Sequence, residues 1–466
     1  MGQAIGKSSY LRVLPRQGGG FIAYHTLFGN LLQLNEAAVG LLEQFSQPRL
    51  PAEYAAAYAQ YPEHLNALHD HYYLVEEEVD ERALYERDLE RRRRRLRSGA
   101  YIGGIQLSVS DACNFACRYC FCDFVDRRDA KRQELSARRE KLMTFETAQK
   151  TIDTVIDVIR RNNRPSVVVK FFGREPLVNW RLIRRVLEHY GHGERHGLQI
   201  AYAMTTNASL VTPEMAELLA RYRVTTTVSV DGLSDSNDGV RVTKKDQAPT
   251  FSIIDAGLKI LSAHKAVHVL SAVITDTNFE QFDGRFVDYA RSAGVTEVQV
   301  LLGMQGDFIR RIDPETAAQK LFEIHRYGRQ RGVSVTGYWN NALVEVFSSR
   351  RLRNDGQQLR GVVESCTATG HQISVEPSGD VFPCRAMSTH VGHIDAFDEL
   401  LQSDAYSNVV MRTYGNVGPC RGCPTEGFCQ GECLGNLEEK YSDIYAVDPA
   451  YCDIYRRVYD KVLTAA

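Results

Sequence analysis

Six short apolar runs, each followed by an amphipathic helical segment, occupy the middle of this chain. The runs cover residues 105–109, 166–172, 198–205, 224–230, 267–274 and 297–302. Strands that alternate with helices in this way form a parallel sheet with right-handed crossovers. We therefore expect an incomplete βα barrel of six units, in which reactive groups belong at the carboxyl ends of the strands.

The loop after the first strand holds three cysteines, Cys113, Cys117 and Cys120, at CxxxCxxC spacing. A cubane iron–sulfur cluster has four irons and normally takes four thiolates, so three cysteines leave one iron open. A zinc site would want four ligands, usually in two separated pairs, and a disulfide is disfavoured in a chain without a secretory signal. The spacing therefore favours a cluster over both alternatives.

The same loop, with the aromatic Tyr119 just before its last cysteine, resembles the signature of radical S-adenosylmethionine (SAM) enzymes. The resemblance implies a [4Fe–4S] cluster whose open iron is chelated by the amino and carboxylate groups of SAM. Reductive cleavage of SAM would then give a 5'-deoxyadenosyl radical. Cys122, two residues further on, is interpreted as a spare thiol.

The next strand ends in Phe172-Gly173-Arg174-Glu175-Pro176, which resembles the GGEP motif of that family with an arginine in place of the second glycine. Glycine allows the backbone to approach a cofactor closely. By the resemblance, Gly173 contacts SAM and Glu175 accepts hydrogen bonds from its ammonium group.

The third and fourth strands end in motifs that resemble the TNG and S-x-D-G segments of the family. Asn207 is followed by Ala208 where glycine is usual, and Ser229 opens the second motif. The resemblance implies that Asn207 and Ser229 meet the ribose hydroxyls of SAM, and that Arg241 pairs with its carboxylate. No catalytic acid or base can be chosen from the sequence.

A second group of seven cysteines follows residue 340, and its order resembles the SPASM extension of radical SAM enzymes. By that resemblance one auxiliary [4Fe–4S] cluster is bound completely by Cys420, Cys423, Cys429 and Cys452. A second auxiliary cluster is left with Cys366, Cys384 and Cys433. It would have an open iron or a non-cysteine ligand, and His371 and Gln372 occupy the neighbourhood where some members place a fourth cysteine. The expected total is three [4Fe–4S] clusters.

The first hundred residues predict a smaller module. A hairpin with a Gly29-Asn30 turn precedes a helix capped by Asn35, two further helices over residues 51–59 and 62–71, and a strand over residues 72–77. This winged-helix-like pattern resembles the peptide-recognition element of maturases that modify ribosomally made peptides, in which a leader peptide adds a strand to a sheet edge. The alternative is a minor domain that only shields the core.

Length and charge fit this organisation. A chain of 466 residues suggests several domains, and we expect a recognition module and linker over 1–98, a partial (βα)6 TIM-like barrel over 99–340 and a SPASM domain over 341–466. The linker, residues 80–97, is a predicted helix whose arginine run at 91–95 is balanced by acidic neighbours. A net charge of -2 predicts no nucleic-acid or membrane partner, and the absence of a signal peptide predicts a cytoplasmic address.

The expected function is a radical SAM maturase that installs a thioether or carbon–carbon crosslink in a precursor peptide, with flavodoxin or ferredoxin as electron donor. An alternative is oxidation of a protein side chain, as in sulfatase-maturating relatives, but those carry an aspartate where Arg385 follows Cys384. A weaker alternative is a redox-sensing DNA-binding protein. His189, His192 and His196 are interpreted as part of a solvated loop, since no acid or cysteine accompanies them at ligand spacing.

Overall fold

The computed structural model describes residues 3–29, 31–122, 142–303, 308–340, 343 and 365–465. Asn30 of the expected hairpin turn therefore lies outside the described residues. Within them, no helix is long and apolar enough to cross a membrane.

The N-terminal module contains five strands and three helices. They are β1 (Ile5–Lys7), β2 (Leu11–Pro15), β3 (Phe21–His25), β4 (Leu31–Leu34), α1 (Glu36–Glu43), α2 (Pro51–Gln60), α3 (Pro62–Asp70) and β5 (Leu74–Glu76). The predicted hairpin of β3 and β4 is confirmed, and Asn35 caps α1 by accepting a hydrogen bond from the backbone N–H of Ala38 at 2.8 Å. The sequence did not predict β1, which pairs with β5, or β2, which pairs with β3.

The predicted linker is a helix, α4 (Glu81–Leu96). One arginine of its basic run departs from the expected solvated face, because Arg92 is only 1% exposed. Its guanidinium donates to the carbonyl oxygens of Val410 at 3.0 Å and Thr369 at 2.8 Å. The linker helix is thereby attached to the C-terminal part of the chain.

The central sheet contains the six predicted strands and four more. They are β6 (Gly104–Ser110), β7 (Ser166–Gly173), β8 (Gln199–Thr206), β9 (Thr225–Ser229), β10 (Val269–Ile274), β11 (Glu297–Leu302), β12 (Ser334–Thr336), β13 (Gln372–Val375), β14 (Asp380–Phe382) and β15 (Gly392–His393). Strands β6 to β12 are parallel and neighbour one another in chain order. In the described part of the chain the sheet stays open, as in a partial TIM barrel.

The strand beside β6 comes from the cysteine-rich region rather than from the barrel. β13 runs parallel to β6, with Gln372 opposite Gly104 and Val375 opposite Leu107. β14 and β15 continue the sheet in antiparallel pairing. The sequence did not predict this pairing, because β13 lies far from β6 in the chain.

The two faces of the sheet differ in polarity. Along β7, Val167, Val169 and Phe171 are buried, whereas Lys170 and Phe172 point to the other face and are partly exposed. The buried face packs against the surrounding helices, as side-chain alternation in a strand requires. The inner face carries polar residues and is left to line a cavity.

Helices cover the outer face of the sheet and build the C-terminal region. They are α5 (Phe145–Arg161), α6 (Trp180–Tyr190), α7 (Pro213–Arg221), α8 (Ser234–Asn237), α9 (Phe251–Ala263), α10 (Arg285–Ser292), α11 (Phe308–Arg311), α12 (Pro314–Arg331), α13 (Phe397–Gln402), α14 (Asp404–Val410), α15 (Leu434–Tyr441) and α16 (Pro449–Ala465). Thr144, Thr212 and Asp313 cap three of them by accepting a backbone N–H bond, so local capping chemistry sets where these helices begin.

Arg92 and its neighbour Arg93 test the linker attachment. Arg92→Ala removes the donors to two buried carbonyl groups, and we expect it to lower the free energy of unfolding by about 2–4 kcal/mol. Arg93 contacts only Glu90 in the described residues, at 3.8 Å, and is largely exposed, so Arg93→Ala should change stability by less than about 0.5 kcal/mol. Thermal unfolding of the two variants checks this, and equal melting temperatures would contradict the assigned role of Arg92.

Candidate functional site

The loop with the first three cysteines is held against the segment that carries Arg241. Backbone N–H groups of Ala116 and Arg118 donate to the carbonyl oxygens of Val242 at 2.9 Å and Val240 at 3.0 Å. The Sγ of Cys113 accepts a hydrogen bond from the N–H of Phe115 at 3.3 Å. The two backbone bonds fix the loop at the carboxyl end of β6, and a sulfur that accepts an N–H bond can still bind a metal.

Burial disfavours the charged form of these thiols. It raises the pKa of Cys113 to about 11 and that of Cys117 to about 12. Thiolates become stable in such a place when a metal centre supplies positive charge. None of the eleven cysteines, all of which lie in the described residues, forms a disulfide bond. The donor set therefore fits a group that binds thiolate.

A single metal ion does not fit the described residues as well as a cluster does. No three His, Cys, Asp or Glu side chains converge there closely enough to hold one ion. In a [4Fe–4S] cluster each thiolate binds a different iron, so the sulfurs stand further apart than around one ion. Partly separated thiols in one loop are compatible with that arrangement.

Glu175 follows directly on β7 and is almost completely buried. Its Oε1 accepts hydrogen bonds from Thr206 at 2.6 Å and from the N–H of Leu177 at 3.0 Å, and its Oε2 accepts from the N–H of Asn207 at 2.8 Å. Burial raises its pKa, and these three bonds oppose the shift. A carboxylate has about four acceptor positions, so Glu175 can accept one further donor.

The backbone around Glu175 explains why the arginine in this motif is tolerated. Gly173 has a φ of +123°, and a Cβ there would lie 2.3 Å from the carbonyl oxygen of Ser110. Arg174 does not share that conformation, because its φ is not positive. The conformation that needs glycine is therefore confined to Gly173.

The end of β8 shows the opposite substitution. Ala208 stands where the family pattern has glycine, and its φ of +59° is in the left-handed region. An alanine held there costs about 1–2 kcal/mol relative to glycine. Asn207 before it accepts hydrogen bonds from Ser209 and donates to Asn114 Oδ1 at 3.0 Å. The turn thus keeps its glycine-like shape, and Asn207 is tied to the cysteine loop.

Asp231 is the acidic residue of the S-x-D-G motif, and the sequence did not predict it as part of the site. It is fully buried, and its carboxylate accepts hydrogen bonds from Nε of Arg241 at 2.8 Å and from Nη2 at 3.2 Å. The hydroxyl of Tyr119 also donates to Asp231. Nη1 of Arg241 faces Cys117 Sγ at 3.7 Å. Asp231 therefore orients both the arginine and the tyrosine toward the cysteine loop.

One cavity of about 450 Å³ brings the expected SAM-side residues together. It is lined by Tyr119, Gly173, Glu175, Asn207, Ser229 and Arg241, together with Cys113, Cys117 and Cys120. Its far wall is formed by Cys366, Cys384 and Cys433. Two cysteine groups that are distant in the sequence thus face the same space.

Gln372 and His371, the two residues near the position of a fourth cysteine, differ in whether they line the cavity. Gln372 lines the cavity, and its Oε1 accepts a hydrogen bond from Lys170 at 3.2 Å. The ring of His371 packs outside β6, where a Cβ on Gly103 would lie 2.8 Å from it. Tyr338 also lines the cavity. Of the two, Gln372 is the one on the cavity side.

The other four cysteines of the C-terminal region surround a separate small cavity of about 40 Å³. Cys420, Cys423, Cys429 and Cys452 line it, and burial raises the pKa of Cys420 and of Cys452 to about 12. The Sγ of Cys429 accepts a hydrogen bond from the N–H of Gly431 at 3.3 Å. It also accepts one from the hydroxyl of Tyr459 on α16 at 3.6 Å. The chain therefore separates its C-terminal cysteines into groups of four and three.

Comparisons with known proteins identify two domains. A model of the radical SAM superfamily matches residues 107–286, and SPASM, an iron–sulfur cluster-binding domain, matches residues 366–424. The chain contains a radical SAM domain over the first of these ranges. It carries a SPASM domain after the radical SAM domain, and the two family matches imply SAM and [4Fe–4S] clusters as cofactors.

Relatives of the chain include one of nearly equal length. The chain is 28% identical to the radical SAM cyclopropyl synthase TigE of Paramaledivibacter caminithermalis, over 98% of this chain and 95% of the relative. It is 23% identical to a serine-type anaerobic sulfatase-maturating enzyme of Bacteroides thetaiotaomicron, over 72% of this chain and 83% of that enzyme.

Solved structures agree on the fold. SuiB of Streptococcus suis, bound to its precursor peptide SuiA, has a TM-score of 0.55 at 16% identity. The match covers 96% of this chain and 99% of the SuiB chain. The protein anSMEcpe with bound AdoMet has a TM-score of 0.61 at 17% identity. The match covers 77% of this chain and 96% of the anSMEcpe chain. At these identities the likeness establishes the fold alone.

Gly173 and Gly294 form a matched pair for testing the SAM site. Gly173→Ala forces the backbone away from Ser110 and moves Glu175, so we expect SAM binding to weaken at least about tenfold, or about 1.4 kcal/mol. Gly294 also has a positive φ, +75°, but a Cβ there meets nothing within 4 Å, so Gly294→Ala should cost about 1 kcal/mol of stability and leave affinity unchanged. Equilibrium dialysis of the reconstituted proteins with SAM measures both, and equal affinities would refute this account of Gly173.

Proposed function

We propose that this chain modifies a ribosomally made precursor peptide by forming a new bond between two of its atoms. The observation that carries the proposal is the single cavity between the SAM-side residues at the strand ends and the cysteines of the far wall. A substrate segment in that cavity would have SAM on one side and an auxiliary cluster on the other. The space of about 450 Å³ suits a short peptide segment rather than a folded protein.

Three [4Fe–4S] clusters account for ten of the eleven cysteines. Cys113, Cys117 and Cys120 would hold the cluster that binds SAM. One auxiliary cluster would use the separate group of four, namely Cys420, Cys423, Cys429 and Cys452. The other would use Cys366, Cys384 and Cys433. Cys122 is left over; it is buried and forms a hydrogen bond with the Cys120 thiol.

The side chains around the first cluster would hold SAM by its charged groups. Glu175 would use its remaining acceptor position for the ammonium group, and Nη1 of Arg241 would contact the carboxylate. Asn207 and Ser229, at neighbouring strand ends, would meet the ribose hydroxyls. When bound, SAM and its cluster supply the 5'-deoxyadenosyl radical, and the protein sets which C–H bond lies within reach.

The bond formed is proposed to be carbon–carbon. The name of the TigE relative, a cyclopropyl synthase, favours this over the thioether alternative. One substrate hydrogen atom would leave to give 5'-deoxyadenosine. As the new bond forms, a proton would leave to solvent and one electron would pass to an auxiliary cluster. The peptide would therefore lose two hydrogen atoms, and an external donor such as flavodoxin or ferredoxin would supply the electron that cleaves SAM.

Protein side-chain oxidation of the sulfatase-maturating kind is the second candidate, favoured by the match to the Bacteroides enzyme. Against it, Arg385 stands next to Cys384 where such enzymes are expected to carry an aspartate. Arg385 is buried, with Nη2 3.6 Å from Asp111 and Nε 3.5 Å from Glu376. A buried cation at this position cannot act as the expected base.

The N-terminal module is proposed to bind the leader of the precursor peptide. In its three-stranded sheet, β2 lies beside the C-terminal helix, where the N–H of Gln17 donates to the carbonyl of Thr464 at 2.9 Å. β4 (Leu31–Leu34) forms the other edge and pairs only with β3 among the described strands. A leader peptide that adds a strand would therefore use β4.

Turnover and iron content test the cofactor assignment. The reduced, reconstituted chain with SAM and precursor peptide should yield 5'-deoxyadenosine and a peptide lighter by two hydrogen atoms. Cys113→Ala should abolish both products, whereas Cys420→Ala should keep some SAM cleavage and lose the modified peptide. Each substitution should lower the iron content from about twelve per chain, and the control Cys122→Ala should not. Identical behaviour of Cys113→Ala and Cys420→Ala would contradict the division of roles.

Hydrogen–deuterium exchange tests the leader site without any substitution. A leader peptide added to the full-length chain should slow exchange of the backbone amides of β4, since an added strand protects exposed edge groups. The strand β2 in the same sheet is the internal control and should not change. Protection of β2 alone, or of neither strand, would refute β4 as the leader site.

A further inference from the structure

Lys170 is a cationic residue on the inner face of the sheet that no motif accounts for. It lies in the middle of β7, on the face opposite to the buried Val169 and Phe171, and its side chain lines the cavity. Its Nζ donates to Gln372 Oε1 at 3.2 Å. Among the described residues its ammonium group forms no ion pair with a carboxylate, although a charge withdrawn from water normally has one.

The carboxylates that line or adjoin this cavity are already engaged. Glu175 accepts three hydrogen bonds from Leu177, Thr206 and Asn207. Asp231 is held by Arg241. Cys384 and Cys366 line the same cavity as Lys170 and are among the remaining groups there that can carry negative charge. Burial lowers the pKa of Lys170, and charge on these two cysteines opposes that shift. Gln372, which holds the ammonium group, lies six positions after Cys366 and lines the same wall.

We propose that Lys170 is the counter-ion of the auxiliary cluster at Cys366, Cys384 and Cys433 and raises its reduction potential; this rests on the cluster assigned there under the proposed function. Reduction adds one negative charge to a cluster, and a nearby cation stabilises that charge in a site of low dielectric. Lys170 thus acts by placing a positive charge near the cluster. It makes this cluster the easier acceptor for the electron that the substrate gives up.

A second buried cation sharpens the comparison between the two auxiliary sites. Arg412 donates to the carbonyl oxygen of Ile444 at 2.6 Å and to Ser365 Oγ at 2.6 Å. Its positive charge interacts electrostatically with Cys366 in the group of three cysteines, and with Cys420 and Cys429 in the group of four. Arg412 therefore acts on both auxiliary sites, whereas Lys170 acts on the three-cysteine site only. Removing Lys170 should change one potential and not the other.

The test is a redox titration of the full-length, reconstituted chain followed by electron paramagnetic resonance. The signal that changes on adding SAM belongs to the first cluster, and the signal lost in Cys384→Ala belongs to the three-cysteine site. Lys170→Met should move the midpoint potential of that second signal to a more negative value and leave the other two unchanged. Lys170→Arg should restore it, and Lys259→Met, which removes an exposed lysine paired with Asp255, should have no effect.

Three outcomes would overturn the proposal. If all potentials stay unchanged in Lys170→Met and in the second variant Lys170→Gln, with iron content intact, Lys170 does not tune the cluster. If the potentials stay unchanged and only peptide affinity falls, Lys170 contacts the substrate instead. If Cys384→Ala removes neither iron nor signal, the cluster itself is absent, and the proposed function fails separately from the role of Lys170.

Discussion

The parallel pairing of β13 with β6 is the contact on which the rest of the site depends. β6 leads into the first cysteine loop, and β13 lies between Cys366 and Cys384 in the chain. Hydrogen bonding between these two strands puts cysteines separated by more than two hundred positions on facing walls of one cavity. Without it, the barrel would end at β6 and the C-terminal cysteines would have no fixed relation to the strand ends.

Charge compensation organises the interior of that cavity. Buried carboxylates and guanidinium groups are costly alone, and the two carboxylates at the strand ends are matched to specific partners. Asp231 and Arg241 satisfy one another, while Glu175 is held by the turn after β8. The thiols are the groups whose charge the protein leaves to be balanced by something it binds. This is the physical reason that the donor set fits iron–sulfur clusters.

Sequence reasoning succeeded where the signal was local. Each of the six strands lies within about two residues of its predicted position, because alternating apolar residues and capping residues such as Thr144 act over short distances. It failed at β13 and at the buried Arg92, because their partners lie far away in the chain, and it missed β12 because that strand has only 3 residues. In the site, the motifs predicted Glu175 and Arg241 as SAM contacts, which stays a prediction. Nothing in the pattern indicated that Asp231 holds Arg241, or that Lys170 has no carboxylate partner among the described residues.

The open sheet with its polar inner face has a consequence for how such a protein can evolve. Folding stability resides in the apolar outer face and its helices, so inner-face residues such as Thr227, Ser271 and Gln299 contribute little to the core. They can be exchanged without opening a void in the core, because they line the cavity instead. The scaffold can therefore acquire new substrates by substitution on one face of its strands, while the other face keeps the fold unchanged.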